Sequence, residues 1–177
     1  MIDKIKKSTI NDLIKVDFTD KCIGFGSKEE LHKIPTLHRA FSVFIYHNDK
    51  MLIQKRNINK YHSGGLWTNA CCSHFIDGMK EIDCISARLK QELGISATPN
   101  YLAKFVYYHK FSDHLFEYEY DHIYVLDYNG NFLINKDEIE EIKWVDFSEL
   151  SIDIVNYPSK YTVWFVTALP MVLQSFE

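Results

Sequence analysis

The sequence has little of what marks several large classes of protein. It lacks a basic excess: 20 basic against 24 acidic residues leave a formal net charge of −4 at pH 7. That argues against a chain that wraps nucleic acid or anionic membrane, since either would call for a clustered positive face. It also lacks a long apolar run. The longest, Thr162 to Leu173, is interrupted by Pro170 and is too short to cross a bilayer. No apolar stretch of the signal-peptide kind follows the polar residues Met1 to Lys7, so a cytoplasmic location is expected. Cys22, Cys71, Cys72 and Cys84 are too few for a disulfide scaffold in 177 residues; they are expected as thiols, available for packing or chemistry. There is no repeat, low-complexity tract or Pro/Gly/Ser linker, so one domain over 1–177 is expected, with residues 1–12 loosely attached.

What is present suits a compact fold: 46% hydrophobic, 15% aromatic and 25% charged residues can fill one sizeable core under a soluble surface. Leu13 to Asp17 and Lys21 to Gly26 read as a hairpin, followed by a short helical turn with Ser27 as its N-cap. Ala40 to Tyr46 and Met51 to Lys55 read as a second hairpin, and Leu66 to His74 as an extended segment after Gly64-Gly65. Ile82, Ile85, Leu89 and Leu93 fall at helical spacing, with Gly94 where a C-capping glycine belongs. Tyr101 to His109, Phe116 to Leu126 and Ile139 to Val145 read as strands, with Asn129-Gly130 as a turn, and a last helix runs from about Tyr161 to Gln174. Strands in hairpins on either side of a helix point to an α+β sandwich with helices covering a mixed sheet.

Alternation along strands selects the candidate residues. Glu117 and Glu119 share one face, and two carboxylates side by side are comfortable only with solvent, a cation or a shared proton between them. The plainer reading is an exposed strand face with Tyr118 and Tyr120 inward. Cys72 and His74 likewise share a face, with Cys71 turned into packing; a thiol beside an imidazole can have its pKa lowered and serve as an acid or base, or both can bind metal. A buried structural Cys beside a satisfied His is the alternative. His32 and His38, six apart across Pro35, gain weight only in combination with those groups: three imidazoles and two carboxylates make an N/O site for Mn²⁺, Mg²⁺ or Zn²⁺. Lys28, Arg56 and Lys60 lie near loops, and Arg88 and Glu92 lie one helical turn apart. The cations can clamp phosphate oxygens and the carboxylate can hold Mg²⁺, although taken alone Arg88 and Glu92 read more plainly as an ordinary i,i+4 ion pair on a solvated helix.

Taken together, Ser27-Lys28-x-x-x-His32, Leu37-His38-Arg39-Ala40-Phe41-Ser42, Gly65-Leu66-Trp67-Thr68-Asn69-Ala70-Cys71-Cys72-Ser73-His74, Arg88-x-x-x-Glu92-Leu93-Gly94 and Glu117-Tyr118-Glu119 resemble, in order and spacing, the signature of type 1 isopentenyl diphosphate isomerases. The resemblance runs from about residue 13 to 165. It implies a Nudix-like fold with a modified Nudix helix, in which Gln91 stands where Nudix hydrolases would usually have a second acid beside Glu92. It implies conversion of isopentenyl to dimethylallyl diphosphate for isoprenoid synthesis, by a monomer or weak dimer acting on a small diphosphate without nucleic acid or membrane. By the same resemblance His32, His38, His74, Glu117 and Glu119 would bind the catalytic metal. Cys72 and Glu119 would handle protons with Tyr107, chosen over Tyr108 by its separation from Glu117. Lys28, Arg56, Lys60 and Arg88 would hold the diphosphate, and Glu92 with the carbonyl of Cys72 a separate Mg²⁺. Trp164 would stabilise a carbocation-like intermediate, whereas Trp67 is read as structural. Phe75 stands where many relatives have proline. His47, His62, His109, His114 and His122 have no motif support and are read as structural. A Nudix-type hydrolase and a catalytically dead metal-binding or interaction domain are the competing functions.

Overall fold

The structure, a computed structural model, describes residues 11–176. Most of the segment expected to be loosely attached therefore lies outside the described residues. At its end Asp12 is buried and its carbonyl accepts the Asp77 N–H at 3.1 Å, so the chain is tied to the body there.

Strand β1 (Leu13–Val16) and β2 (Cys22–Gly26) form the expected hairpin. Ser27 caps helix α1 (Lys28–Lys33) by a capping box: its hydroxyl accepts from the Glu30 N–H and the Glu30 carboxylate accepts from the Ser27 N–H. Strand β3 (His38–His47) turns into β4 (Lys50–Arg56). The expected extended segment is split into β5 (Trp67–Thr68) and β6 (Cys71–His74). Helix α2 (Glu81–Leu93) ends where its pattern predicts, at Gly94 with φ 70°. A Cβ there would meet the Leu133 Cβ at 2.7 Å, so conformation and space both require glycine. Strands β7 (Asn100–Ser112) and β8 (Leu115–Asp127) make a long hairpin, and β9 (Ile139–Asp146) returns to pair with β4.

Two helices close the described chain. Helix α4 (Val163–Gln174) fits the expected last helix, but α3 (Phe147–Asn156), with a 3-10 turn at Pro158–Lys160 after it, was not expected. Helix α3 turns Phe147, Leu150 and Ile154 to the core but leaves Ile152 and Val155 exposed, and its N-cap Asp146 makes no side-chain cap bond. Neither signal stands out in a single sequence.

Strand β3 is the hub. It runs parallel to β8, with His38 opposite Glu119 and Tyr46 opposite Asp127, and antiparallel to β6, with Ala40 opposite His74 and Ser42 opposite Cys72. Alternation then divides the core in two. Phe41, Val43 and Ile45 pack with Leu52, Tyr124 and Leu126 beneath Ile85, Leu89 and Leu93 of α2. Phe44 packs with Met51, Ile53 and Ile123 against α3 and α4. Each fully buried aliphatic side chain contributes about 1.5–3 kcal/mol of burial energy. This is the expected sandwich of a mixed sheet between helices.

The β1–β2 turn is pinned to the sheet through Asp20, at φ 66°. Arg39 Nε donates to its carboxylate at 2.6 Å, Lys104 at 2.9 Å, and His122 Nε2 lies 3.0 Å away.

Candidate active site

The face of the sheet that carries Phe44 and Ile123 under α4 continues toward β1 as a polar surface. His38, Ala40 and Ser42 on β3, Cys72 and His74 on β6, and Glu117, Glu119 and Asp121 on β8 share it by register. The parity expected for Glu117 with Glu119, and for Cys72 with His74, therefore holds. Tyr118 and Tyr120 point the other way, half-buried, and Cys71 is fully buried beside α2. Ser42, Cys72, His74, Glu117 and Glu119 of this surface, with Tyr107, Trp164 and residues of the loops above, line a cavity of about 200 Å³.

At the cavity floor, where His74 and Glu119 line it, and just beneath, ligand atoms of His32, His38, His74 and Glu119 lie within 4.8 Å of one another. Two of the imidazoles are fixed by backbone. His32 Nδ1 is 2.7 Å from the Lys28 carbonyl and His38 Nδ1 is 2.7 Å from the Thr36 carbonyl. A carbonyl only accepts, so Nδ1 carries the proton in both rings and each Nε2 presents a lone pair. Both Nε2 atoms are buried without a hydrogen-bond partner. Burial lowers the pKa of all three histidines, that of His38 to about 3, helped by His74 beside it. Neutral imidazoles with orphaned lone pairs around a carboxylate are the donor set a divalent cation takes.

Glu117 lies next to that group but is held differently. Tyr107, paired with Glu119 in the β7–β8 register, places its hydroxyl 2.9 Å from Glu117 Oε2 and 2.5 Å from Glu119 Oε2. One hydroxyl proton faces two carboxylate oxygens, so a second proton or a cation has to share the space. The outer oxygens meet imidazoles: His74 Nε2 is 2.8 Å from Glu119 Oε1, and His62 Nε2 is 3.1 Å from Glu117 Oε1. Tyr107 is buried whereas Tyr108 is 52% exposed, which favours the tyrosine chosen by spacing.

Cys72 opens onto the cavity without the lowered pKa that a neighbouring imidazole suggests. Burial pushes its thiol up to about 12; Arg56 opposes that shift, and Glu92 and Glu119 add to it. With His74 held neutral by burial, no imidazolium stands beside the thiol to stabilise a thiolate.

At the rim stand Lys28, Arg56, Lys60 and Arg88. Burial lowers the pKa of Lys28, with Glu119 and Glu117 offsetting part of the shift. Lys60 and Arg88 are ion-paired: Lys60 with Glu138, and Arg88 with Glu92 and, at 3.5 Å, Glu138. Gln54 donates to Glu92 at 3.1 Å. Burial nonetheless raises the Glu92 pKa, with Arg88 and Gln54 pulling it down.

Trp164 forms part of the wall, with Arg56 5.2 Å from its ring centroid. Its indole N–H donates to Asn69 Oδ1 at 3.2 Å, and Thr68 exchanges a hydrogen bond with Thr162 at 2.8 Å. The Thr68-Asn69 pair thus docks the start of α4 on the sheet. Trp67 packs beneath Lys143, 4.2 Å from its ring, consistent with a structural part.

Sequence reasoning missed Glu138, Gln54, Ser42, Asp121 and His62. Ser42 donates to Asp121 Oδ2 at 2.7 Å, and burial holds the Asp121 carboxyl well above the usual range, with Glu119 adding to the shift. Parity along β8 could have added Asp121 to the carboxylate face. Glu138, from the loop before β9, had no local signal.

A model of the NUDIX domain matches residues 36–165. Isopentenyl-diphosphate Delta-isomerase 2 of Aromatoleum aromaticum is 37% identical over 164 residues, covering 92% of this chain and 87% of that protein. The enzyme of the same name from Photorhabdus laumondii is 40% identical over 154 residues, covering 86% and 87%. Among solved structures, the MutT NUDIX hydrolase of Burkholderia pseudomallei has a TM-score of 0.60 at 16% identity, covering 77% of this chain and 98% of that one. The MutT protein of Methanosarcina mazei has a TM-score of 0.64 at 11% identity, covering 80% and 96%. Those structural likenesses speak to the fold and the sequence relatives to the family: the chain belongs to the isopentenyl-diphosphate Delta-isomerases, built on a Nudix fold.

Proposed function

We propose that the cavity interconverts isopentenyl diphosphate and dimethylallyl diphosphate, with Cys72 and Glu119 as the two proton carriers. The observation that carries this reading is that the Cys72 thiol and the hydrogen-bonded Tyr107–Glu119 pair open onto one small cavity with Trp164 in its wall. A proton is added to the terminal methylene of isopentenyl diphosphate and another leaves the methylene beside the resulting tertiary centre. Formula and charge are unchanged; only the double bond moves. Cys72 and the Tyr107–Glu119 pair, on separate strands, supply one carrier for each transfer. Burial raises the Cys72 pKa, which favours the protonated thiol as the form that meets substrate. The Trp164 face stabilises the electron-poor intermediate by about 2 kcal/mol once water is excluded.

Lys28, Arg56, Lys60 and Arg88 would hold the diphosphate, with Lys60 and Arg88 exchanging Glu138 for phosphate oxygens. Mg²⁺ arriving with the diphosphate would be held by Glu92 and the Cys72 carbonyl. His32, His38, His74, Glu117 and Glu119 would hold a second divalent cation, Mn²⁺, Mg²⁺ or Zn²⁺. Its positive charge, when bound, offsets that of the paired carboxylates. The working unit is a monomer or weak dimer in the cytoplasm, acting on a free small molecule. No helix among the described residues is long and apolar enough to cross a membrane.

Proton NMR in D₂O with isopentenyl diphosphate and Mg²⁺ tests the reading. Dimethylallyl diphosphate should appear with deuterium incorporated. Cys72→Ala should lower turnover by about 10²–10⁴-fold, the usual range for removing an acid–base group, with little change in melting temperature. Phosphate release without isomerisation would instead favour a hydrolase. Retained turnover in Cys72→Ala would remove the thiol from the proton route.

A further inference from the structure

The isomerase reading leaves a buried imidazole of the cavity wall without a task. His62, 8% exposed, lies between Lys60 and the Gly64-Gly65 turn. That turn is tightly built: a Cβ on Gly64 would sit 2.4 Å from the Ile58 carbonyl oxygen. The imidazole is stacked on Phe111 with centroids 4.4 Å apart, and meets Tyr61 at 4.4 Å and Trp164 at 6.0 Å edge to face. Held by three rings, it cannot turn to follow a moving partner. Its Nδ1 lies 3.2 Å from Ser63 Oγ and its Nε2 3.1 Å from Glu117 Oε1. A carboxylate oxygen accepts, so Nε2 donates.

This contact completes a symmetrical chain. Reading across the cavity, His62 binds Glu117, Glu117 binds Tyr107, Tyr107 binds Glu119 and Glu119 binds His74. Each carboxylate has an imidazole on its outer oxygen and the Tyr107 hydroxyl on its inner one. Without His62, Glu117 keeps only the Tyr107 contact and can rotate about its last torsion, carrying the phenol away from Glu119.

We propose that His62 is a positioning residue that fixes the Glu117 carboxylate and, through Tyr107, the place of Glu119. Its effect on turnover rests on the isomerase reading; its effect on cation binding does not. Two variants separate the donor from the ring. His62→Phe keeps the aromatic packing and loses the donor, whereas His62→Gln keeps a donor and loses the ring. His62→Phe should lower kcat about 10–100-fold and Mn²⁺ affinity, measured by calorimetry on the protein alone, by a similar factor. The KM for isopentenyl diphosphate should stay within about twofold and melting should be little changed, since these follow from binding and packing rather than carboxylate orientation. His62→Gln should recover most of both losses. Wild-type kcat and Mn²⁺ affinity in His62→Phe would overturn the proposal, as would losses that track melting and are not recovered by Gln. A rise in KM alone would make His62 a substrate contact and overturn it too. If the wild-type protein converts no isopentenyl diphosphate, the isomerase reading falls, and the ranking of the three Mn²⁺ affinities still decides whether His62 positions Glu117.

Discussion

The floor and the rim of the cavity differ in what their charged and polar groups already hold. At the floor, His32 and His38 are tied by Nδ1 to backbone carbonyls and buried, with Nε2 atoms that make no hydrogen bond. Such groups are set before anything binds, and filling the space between them requires little rearrangement. At the rim, Lys60 and Arg88 are already ion-paired with Glu138 and Glu92, although the Nε atoms of Arg56 and Arg88 are also buried without a hydrogen-bond partner. An anion entering there must take over contacts that the protein itself makes. The floor is preorganised, whereas the rim works by exchange, and affinity at the rim is the difference between two sets of ion pairs.

The comparison breaks first, and furthest, at His38. His38→Ala removes a fully buried lone pair from the floor and should lower Mn²⁺ affinity and isomerisation by about 100-fold or more, read by calorimetry and by NMR turnover. A floor that tolerates this change is not a metal site. The rim should respond less, and in either direction. Lys60→Ala should raise the KM for isopentenyl diphosphate about tenfold, the loss of one charge-assisted contact. Glu138→Gln, by removing the anion that competes for Lys60 and Arg88, should lower that KM about two- to fivefold, most clearly at low salt. A higher KM in Glu138→Gln would mean that Glu138 orients the cations rather than occupying them.

The smallest effect is expected away from the cavity, at Asp20. Burial raises its pKa, but hydrogen bonds from Lys104 and Arg39, with His122 nearby, outweigh that and leave it lowered. A lowered carboxyl contributes stability above the unfolded value near about 4, and that contribution is lost as pH falls through the folded value. Asp20→Asn should therefore melt lower than the parent at neutral pH and show a shallower decline in melting temperature on acidification below about pH 4. Asparagine tolerates the positive φ, so the change isolates the charge. Parallel melting curves against pH would show that the network carries no acid-linked stability.

Legibility followed the range of the interaction. Helix α2 with Gly94, the α1 cap and the shared faces of Cys72 with His74 and Glu117 with Glu119 are local patterns, and the structure repeats them. The separation that selected Tyr107 also reflects local geometry, because β7 and β8 are one hairpin. Helix α3 was missed because Ile152 and Val155, exposed on its outer side, blur the stripe that Phe147, Leu150 and Ile154 turn to the core. Glu138 and His62 were missed because their partners, Arg88 and Glu117, are about 50 residues away and nothing near them in the chain announces the contact. The burial that pushes the Cys72 thiol up is of the same kind: a neighbouring imidazole is visible in the sequence, its burial is not.

Strand β8 holds a tension between its two ends. In its first half the more apolar set, Phe116, Tyr118 and Tyr120, is turned away from the cavity, while Glu117, Glu119 and Asp121 are taken inside. Hydrophobicity alone would prefer that half rotated by one residue, which would put tyrosines where the carboxylates stand. The second half forbids it, because Ile123 fills one core and Tyr124 and Leu126 the other, and because the β3 ladder runs unbroken from His38 to Tyr46. Folding strength at the far end of one strand is thus what keeps three acids facing inward at the other, and a mutation that loosens the Ile123 end can silence the cavity from a distance.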